Sequence, residues 1–186
     1  LRVPIVVGKS RSHRIGILFE MIRNNLPLIL IGGGKNCIQF ISVDDLITII
    51  QKCLKIKGKN IFNVGVKKSY TFRENLSYII NNSKSKSKIF SINKFIGNFM
   101  INVLIFFKLI DLNFYHKALL TKNIVLNTSK IENKLKFKST KTSRDILFEN
   151  YKYYIKNINK TKKIKSGSDK NPNLKIFNFF KLFFRS

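Results

Sequence analysis

The 186-residue sequence predicts an α/β fold, in which short parallel strands alternate with helices. A strand-like run at 2–7 is apolar at almost every position, as in strands covered on both faces of a parallel sheet. Apolar residues then recur at helical spacing over 15–22, which predicts a helix of about three turns. A second strand-like run at 60–65 ends on glycine and precedes another helical segment. This alternation is typical of α/β proteins.

Capping residues indicate where several helices begin. Asp44 can cap a helix with one buried apolar face. Thr71 and Glu74 fit a capping box, and Thr142 or Ser143 begins a last helix. The face after Asp44 is predicted to bury Leu46, Ile47, Ile49, Ile50, Cys53 and Leu54. The last helix is predicted to turn inward Ile146, Leu147, Tyr151, Tyr154 and Ile155. Further extended segments are expected at 28–31, 38–42, 89–92 and 124–126, and further helices at 94–109 and after Asn127.

The first residues of the chain already belong to a predicted strand. The chain opens on Leu1 within a predicted strand, and an isolated terminal strand needs neighbours to pair with. We therefore expect the sequence to begin inside a larger protein.

The apolar run 95–107 is followed by Lys108 and Asp111 and is too short to span a bilayer, so a core or cap helix is expected.

The cysteines and histidines do not form a metal-binding pattern. Cys37 and Cys53 show no C-x-x-C spacing, and with His13 and His116 they make no recognisable ligand set. Buried free thiols are typical of a reducing compartment. The sequence also opens without a signal peptide. We expect no metal and a cytoplasmic location.

The chain is strongly basic, with 36 Lys and Arg against 9 acidic residues and a formal net charge of +27. Such a charge normally suggests nucleic acid or an anionic membrane. Here the cations are mostly Lys, spread along the whole chain, and heavy use of Asn and Ile points to A/T-rich codons. Nucleic acid is therefore not the favoured partner. A basic module that binds nucleic acid or anionic membrane is kept as the alternative function.

Composition divides the chain at about residue 158. Residues 1–158 carry the predicted α/β elements, whereas 159–173 are a charged linker rich in Ser, Gly, Asn and Pro. The segment 174–186, LKIFNFFKLFFRS, is apolar and basic. It is either a membrane-surface or partner-binding segment or a frayed tail.

Three consecutive glycines, Gly32–Gly34, raise the question of a phosphate-binding loop. A dinucleotide fingerprint G-x-G-x-x-G would need glycine at position 37, which is Cys37, and an extended segment rather than a helix follows. The run Gly8-Lys9-Ser10 resembles the end of a P-loop, but the first glycine of that motif is replaced by Val3. The glycines are better explained as a tight turn between two extended segments.

Five blocks in order resemble a known family. They are LRVPIVVG at 1–8, NLPLILIGGGKNCIQFISVDDL at 25–46, IFNVG at 61–65 with TFRE at 71–74, NTSKIENKLKF at 127–137, and TKTSRDIL at 140–147. Together they are similar to the C-terminal, substrate-binding part of extended short-chain dehydrogenases in the NAD-dependent epimerase/dehydratase family. The nearest branch is that of UDP-sugar 4-epimerase-like enzymes.

The resemblance implies a fold, a chemistry and partners. The fold would be the last strands of a Rossmann sheet plus a small α/β substrate-binding subdomain. The complete enzyme would use NAD or NADP, bind a nucleotide sugar, and often form a homodimer. The matching positions that would face substrate or nicotinamide are Pro4, Gly8, Asn36 and Gln39. We expect no tight cofactor binding by this chain alone.

Several features depart from the family pattern. The glycine-rich cofactor loop and the catalytic Tyr-x-x-x-Lys are absent from the 186 residues, because no Tyr has Lys four positions later. They would belong to an N-terminal half, and this chain alone is expected to be inactive. Val7 replaces the usual Tyr, Ile38 stands where an Arg often pairs with substrate phosphate, and Phe137 replaces the usual Trp as a plain core aromatic.

Overall fold

A computed structural model describes residues 1–8, 13–107 and 114–157, without the side chains of 13, 14 and 114–116. The predicted linker and tail at 159–186 lie outside these residues. The elements are β1 (Ile5–Val7), α1 (His13–Arg23), β2 (Leu28–Ile31), β3 (Phe40–Ser42), α2 (Val43–Cys53), α3 (Phe72–Asn82), β4 (Ile89–Ile92), α4 (Lys94–Phe106), α5 (Phe114–Thr121), α6 (Ser129–Leu135) and α7 (Ser143–Lys156). A short 3-10 segment, Gly32–Gly34, follows β2 and is called the glycine turn below.

The described strands form two parallel pairs. β1 pairs with β3, where Ile5 lies opposite Phe40 and Val7 opposite Ser42. β2 pairs with β4 over four residues, from Leu28 opposite Ile89 onward. The predicted strand at 60–65 is reduced to a single parallel bridge between Asn63 and Arg2. Parallel pairing with intervening helices confirms the predicted α/β class.

The core consists of two apolar clusters that meet at β3. Successive strand residues point to opposite faces, so Phe40 enters one cluster and Ile41 the other. The larger cluster joins β1 and β2 to α1, α3 and α7, and within it Phe19 packs edge-to-face on Tyr151 at 5.4 Å. The smaller cluster lies under α2 and α6 and contains Phe137, as the plain core aromatic that we expect there.

Helix α7 connects distant parts of the chain. Its N-cap is Thr142, one of the two predicted starting residues, and Thr142 forms a capping box with Asp145. Arg144 in its first turn lies 3.5 Å from the ring centroid of Tyr70 and forms an ion pair with Glu74. Glu74 itself completes the predicted capping box of α3. The last helix therefore fixes the start of α3 against the body of the fold.

Two helices differ from the sequence prediction. The N-cap of α2 is Ser42, whose hydroxyl accepts a hydrogen bond from the Asp45 amide, and not Asp44. The predicted buried face of α2 is right only in part. Ile49 is buried, and Leu46 and Cys53 pack on the core, whereas Ile47, Ile50 and Leu54 are exposed. Apolar residues surround more than one face of this helix, so periodicity could not select the buried one.

Of the two positions expected for helix α4, in the core or as a cap, the core position is wrong. Only Gly97 and Ile101 are buried, and most of its large apolar side chains are exposed. The helix has 13 residues, and within the described ranges no helix has both the length and the hydropathy needed to cross a membrane.

Candidate functional site

An open cleft of about 390 Å³ lies where β1 and β3 end. The carboxyl ends of parallel strands are the usual ligand site in α/β proteins. The cleft is lined by Val6, Val7, Gly8, Ser42, Val43, Asp44, Lys141, Ile146, Glu149 and Asn150. Its walls therefore come from both strand ends, from the first turn of α2 and from one face of α7. We treat this cleft as the candidate functional site.

Gly8 at the end of β1 is held by α7. The side chain of Asn150 donates a 2.7 Å hydrogen bond to the Gly8 carbonyl and is buried. Gly8 is also packed against α2, since a methyl group on it would lie 2.5 Å from Cγ2 of Val43. The absence of a side chain at this position lets the strand end, α2 and α7 meet.

A cation and a carboxylate in the lining of the cleft form an ion pair. Lys141 Nζ donates to Glu149 Oε2 at 2.6 Å. The hydrogen bond to Glu149 raises the pKa of Lys141 above its ordinary value of 10.5, and the charges of Glu149, Asp44 and Asp45 act in the same direction. Lys141 is therefore a stable cation, with one of its donors already engaged.

The floor of the cleft is fixed by the N-terminus of α2. Asp45 is buried, and its carboxylate accepts a 2.7 Å hydrogen bond from the Ser139 hydroxyl. Asp44, its neighbour, is exposed at the cleft. The two adjacent acids thus have different tasks, because one fastens the 139–141 loop and the other is open to a ligand.

The polar groups of the cleft suit a neutral part of a ligand that carries many hydroxyls. The carboxylates of Asp44 and Glu149 accept hydrogen bonds, and Lys141 donates them. Apolar walls from Val43 and Ile146 supply the rest of the surface. Such a mixture of apolar surface and a few convergent polar groups is typical of small-molecule sites.

Gln39, one of the four residues predicted to contact substrate, has a structural role in the fold. It is 2% exposed, and its amide donates to the Val66 carbonyl at 2.8 Å while its oxygen accepts from the Leu126 amide at 2.9 Å. Gly65 packs directly on this amide, where an added methyl group would lie 2.4 Å from Cδ of Gln39. The side chain therefore joins two loops.

Asn36 similarly anchors a neighbouring element. Its side-chain amide is buried and donates to the Leu119 carbonyl at 2.9 Å, at the end of α5. Its own carbonyl accepts a hydrogen bond from the Phe72 amide at 2.9 Å, which connects it to the start of α3. Asn36 thus connects the glycine turn region to two helices.

The four predicted residues do not meet at one place. Gly8 lines the cleft, whereas Pro4 and Gln39 each come one residue before the Ile5–Phe40 pair, at the opposite end of the strands. At about 3.3 Å per strand residue this separation is roughly 13 Å. A substrate contact by each of these residues stays a prediction.

The cleft residues of α7 were missed at the level of sequence. Lys141 lies just before α7 in the 140–147 block, where no role was assigned to it, and Glu149 and Asn150 match no motif. All three lie about a hundred residues or more from the strand ends in the chain. One signal was present. Asn150 lies three and four positions after Leu147 and Ile146, on the face predicted to be buried, and a buried amide needs a partner.

The glycine turn is confirmed as a turn. All three residues have positive φ, at 62°, 72° and 66°, a region that L side chains rarely adopt. Protein atoms fill the space around it: a methyl group on Gly32 would lie 2.7 Å from Cε of Lys94, and one on Gly34 would lie 2.6 Å from Cδ1 of Leu30. Among the described residues no cluster of potential metal ligands occurs.

Comparisons with known proteins give the class of fold. No protein-family model matches the chain. A curated relative, the uncharacterized protein y4nG of Sinorhizobium fredii, is 27% identical over 157 residues, which are 84% of this chain and 40% of that protein.

Three solved structures are similar. WbmG from Bordetella bronchiseptica with NAD and UDP has a TM-score of 0.59 at 14% identity, covering 83% of this chain and 42% of that one. UDP-glucose 4-epimerase from Thermotoga maritima with UDP-glucose has 0.58 at 15%, covering 83% and 45%. dTDP-glucose 4,6-dehydratase from Bacillus anthracis with NAD has 0.55 at 20%, covering 78% and 40%.

These likenesses define the fold of the chain. The chain has the Rossmann-like α/β fold of the sugar epimerases and dehydratases, which confirms the predicted class. The likeness covers part of these folds, since the chain spans about two fifths of the length of the proteins it matches.

Proposed function

We propose that this chain is the nucleotide-sugar-binding half of an NAD-dependent sugar epimerase or dehydratase. The observation that carries the proposal is the shared fold with enzymes solved with UDP-glucose, with NAD and UDP, or with NAD. The order of the five sequence blocks supports the same assignment. In the complete enzyme the cofactor would accept a hydride from a sugar hydroxyl carbon.

The cleft at the ends of β1 and β3 is the proposed sugar subsite. Asp44 and Glu149 would accept hydrogen bonds from sugar hydroxyls, and Lys141 would donate one. Gly8, which the family resemblance also assigns to the substrate site, forms one wall. The diphosphate has no arginine partner at the usual position, because Ile38 there is buried in the core.

The dinucleotide-binding half is the proposed partner of this chain. The exposed side of α2 carries Val43, Ile47, Ile50 and Leu54. These positions are spaced four, three and four residues apart and form one narrow apolar stripe, as helices do where they pack on a neighbour. We propose that the cofactor-binding half covers this stripe and supplies the cofactor loop and the catalytic base. A homodimer of the complete enzyme is part of the same proposal.

Calorimetric binding to the purified chain tests the proposal. We expect UDP-glucose or dTDP-glucose to bind more tightly than UDP alone, NAD to bind weakly, and no epimerised or dehydrated sugar to form when NAD is added. Lys141→Met should weaken binding of the nucleotide sugar by about tenfold, while Lys156→Met, an exposed change elsewhere on α7, should not. Turnover by residues 1–186 alone would refute the assignment as a half enzyme.

The alternative function, a basic module, predicts a different outcome in binding experiments. Double-stranded DNA binding whose affinity falls steeply with salt, together with no response to any nucleotide sugar, would favour it. Sugar binding that survives at high salt favours the proposal, because the cleft contacts are short-range hydrogen bonds rather than a diffuse cationic field.

A further inference from the structure

Helix α4 exposes one continuous apolar face. The α4 face consists of Phe95, Ile96, Phe99, Met100, Val103, Phe106 and the adjoining Phe107. At 3.6 residues per turn these seven positions fall within an arc of about 140°. Phe95, Phe99 and Phe106 are 82%, 65% and 80% exposed. Isolated exposed apolar residues are ordinary, but a contiguous aromatic surface of this kind marks an interaction site.

The side of α4 opposite the exposed face packs against the sheet, and this contact sets the orientation of the helix. Gly97 lies on β2 so closely that a methyl group there would be 2.7 Å from Cγ1 of Ile31. Ile101, one turn later, is buried as well. Ile29 and Phe90 are paired neighbours on the same side of the sheet as Ile31, and both are exposed. The apolar surface therefore continues from α4 onto the strand pair.

The sequence on either side of α4 is predominantly basic. From residue 75 to residue 131 the sequence contains one acidic residue, Asp111, against eight lysines. Lys117 on α5 donates a 2.6 Å hydrogen bond to Asn102, which lies next to Phe95 and Phe106 around α4, whereas the side chain of Lys94 packs over Gly32 of the glycine turn. An apolar face bordered by cations is the pattern of a helix that lies in the interface of an anionic membrane.

We propose that the α4 face docks this protein onto an anionic lipid bilayer. The apolar side chains would enter the boundary between headgroups and acyl chains, and the lysines would contact the lipid phosphates. A second copy of this chain, at +27, and the 174–186 segment, with three cations and no acid, both repel a basic surface. The apolar stripe of α2 is a poorer candidate, because Asp44 and Asp45 open that helix.

A single tryptophan reports on the proposal, since the chain contains none. We would place Phe99→Trp on the α4 face and, as the matched control, Leu54→Trp on α2, where the native residue is 82% exposed. Vesicles of phosphatidylcholine and phosphatidylglycerol should shift the fluorescence emission of the Phe99→Trp variant to the blue and leave that of the Leu54→Trp variant unchanged. Pure phosphatidylcholine vesicles should shift neither.

Substitutions separate the α4 face from the tail. In full-length chains that carry Phe179→Ser, Phe180→Ser, Phe183→Ser and Phe184→Ser, co-sedimentation with the anionic vesicles should persist. Adding Phe95→Ser, Phe99→Ser and Phe106→Ser should reduce binding by at least about tenfold. Adding Ile47→Ser, Ile50→Ser and Leu54→Ser instead should not. Circular dichroism confirms that each variant is folded.

Three results would overturn the proposal. Binding lost with the tail substitutions alone would assign it to residues 174–186. Emission of the Phe99→Trp variant that is already blue-shifted without lipid, in a chain that light scattering shows to be a dimer, would make a second copy the occupant. Equal emission shifts of the Phe99→Trp variant with neutral and anionic vesicles would show that the lysines do not contribute to lipid binding.

Discussion

Asn150 and Gly8 are joined by a 2.7 Å hydrogen bond between residues 142 positions apart in the sequence. The bond connects the last helix to the end of the first strand, at the wall of the candidate cleft. Asn150→Ala leaves the Gly8 carbonyl without this donor, and we expect the free energy of unfolding to fall by about 1–3 kcal/mol.

Urea denaturation measures this loss, with Asn98→Ala as the control. Asn98 is exposed on α4, so its removal should change the free energy of unfolding by about 0.5 kcal/mol or less. Equal effects of the two substitutions would mean that the Asn150–Gly8 bond does not stabilise the fold.

Gly65 and Gln39 should show coupled effects on stability. A methyl group on Gly65 would lie 2.4 Å from Cδ of the buried Gln39 side chain, so Gly65→Ala should destabilise by about 1–3 kcal/mol. Gln39→Ala removes the crowded group as well as three hydrogen bonds. The double variant should therefore be more stable than the sum of the single effects predicts, by about 0.5 kcal/mol or more. Strict additivity in a double-mutant cycle would contradict the packing described.

Alanine substitutions at Gly34, in the glycine turn, and at Gly58 distinguish the cost of backbone strain from the cost of steric crowding. Gly58 has a φ of 82° and no atom within 4 Å of an added methyl group, so Gly58→Ala should cost about 1 kcal/mol from the left-handed backbone alone. Gly34 has a φ of 66°, and an added methyl group there would lie 3.2 Å from the Arg73 amide nitrogen.

Gly34→Ala should therefore cost more than Gly58→Ala, by about 1–3 kcal/mol. Thermal unfolding of the two variants, followed by circular dichroism, gives the comparison. A Gly34 variant as stable as the Gly58 variant would show that the turn has room to relax.

Lys141 should titrate at a pKa above 10.5 because Glu149 accepts its hydrogen bond. A raised folded-state pKa means that the contribution to stability is fully present below the unfolded value. It is lost as pH rises through the folded value. The destabilisation caused by Lys141→Met should therefore shrink in strongly alkaline solution.

NMR of the Lys141 Cε signal checks this prediction directly. Glu149→Gln should lower the pKa of Lys141 toward its ordinary value, because the first cause of the shift is removed. If the titration curve of Lys141 is the same in the Glu149→Gln variant, the ion pair between Lys141 and Glu149 does not form in solution.

The parts of the fold that sequence predicts well are those set by local rules. Four such features depend on neighbours within a few residues: the capping box of α3, the start of α7 at Thr142, the turn at Gly32–Gly34 and the extended segment at 89–92. The orientation of α2 and α4 depends on what packs on them, and both helices are apolar on more than one face. Periodicity alone cannot choose between such faces.

The site was harder to predict than the fold for a related reason. Gln39 and Asn36 are polar residues beside a strand, and a sequence does not show whether such an amide faces a ligand or a backbone. In the structure their partners, Leu126 and Leu119, lie more than eighty residues away. The α7 side of the cleft is equally remote from the strand ends, so only the folded chain brings these groups together.

A residue-resolved NMR titration of the chain with UDP-glucose tests the central claim most directly. The assignment as a nucleotide-sugar-binding half predicts saturable shifts of the amide signals of Gly8, Asp44 and Asn150, around the cleft. Glucose alone and NAD should produce much smaller shifts at the same concentrations. The absence of any saturable shift with UDP-glucose and dTDP-glucose, or shifts confined to residues away from the cleft, would contradict it.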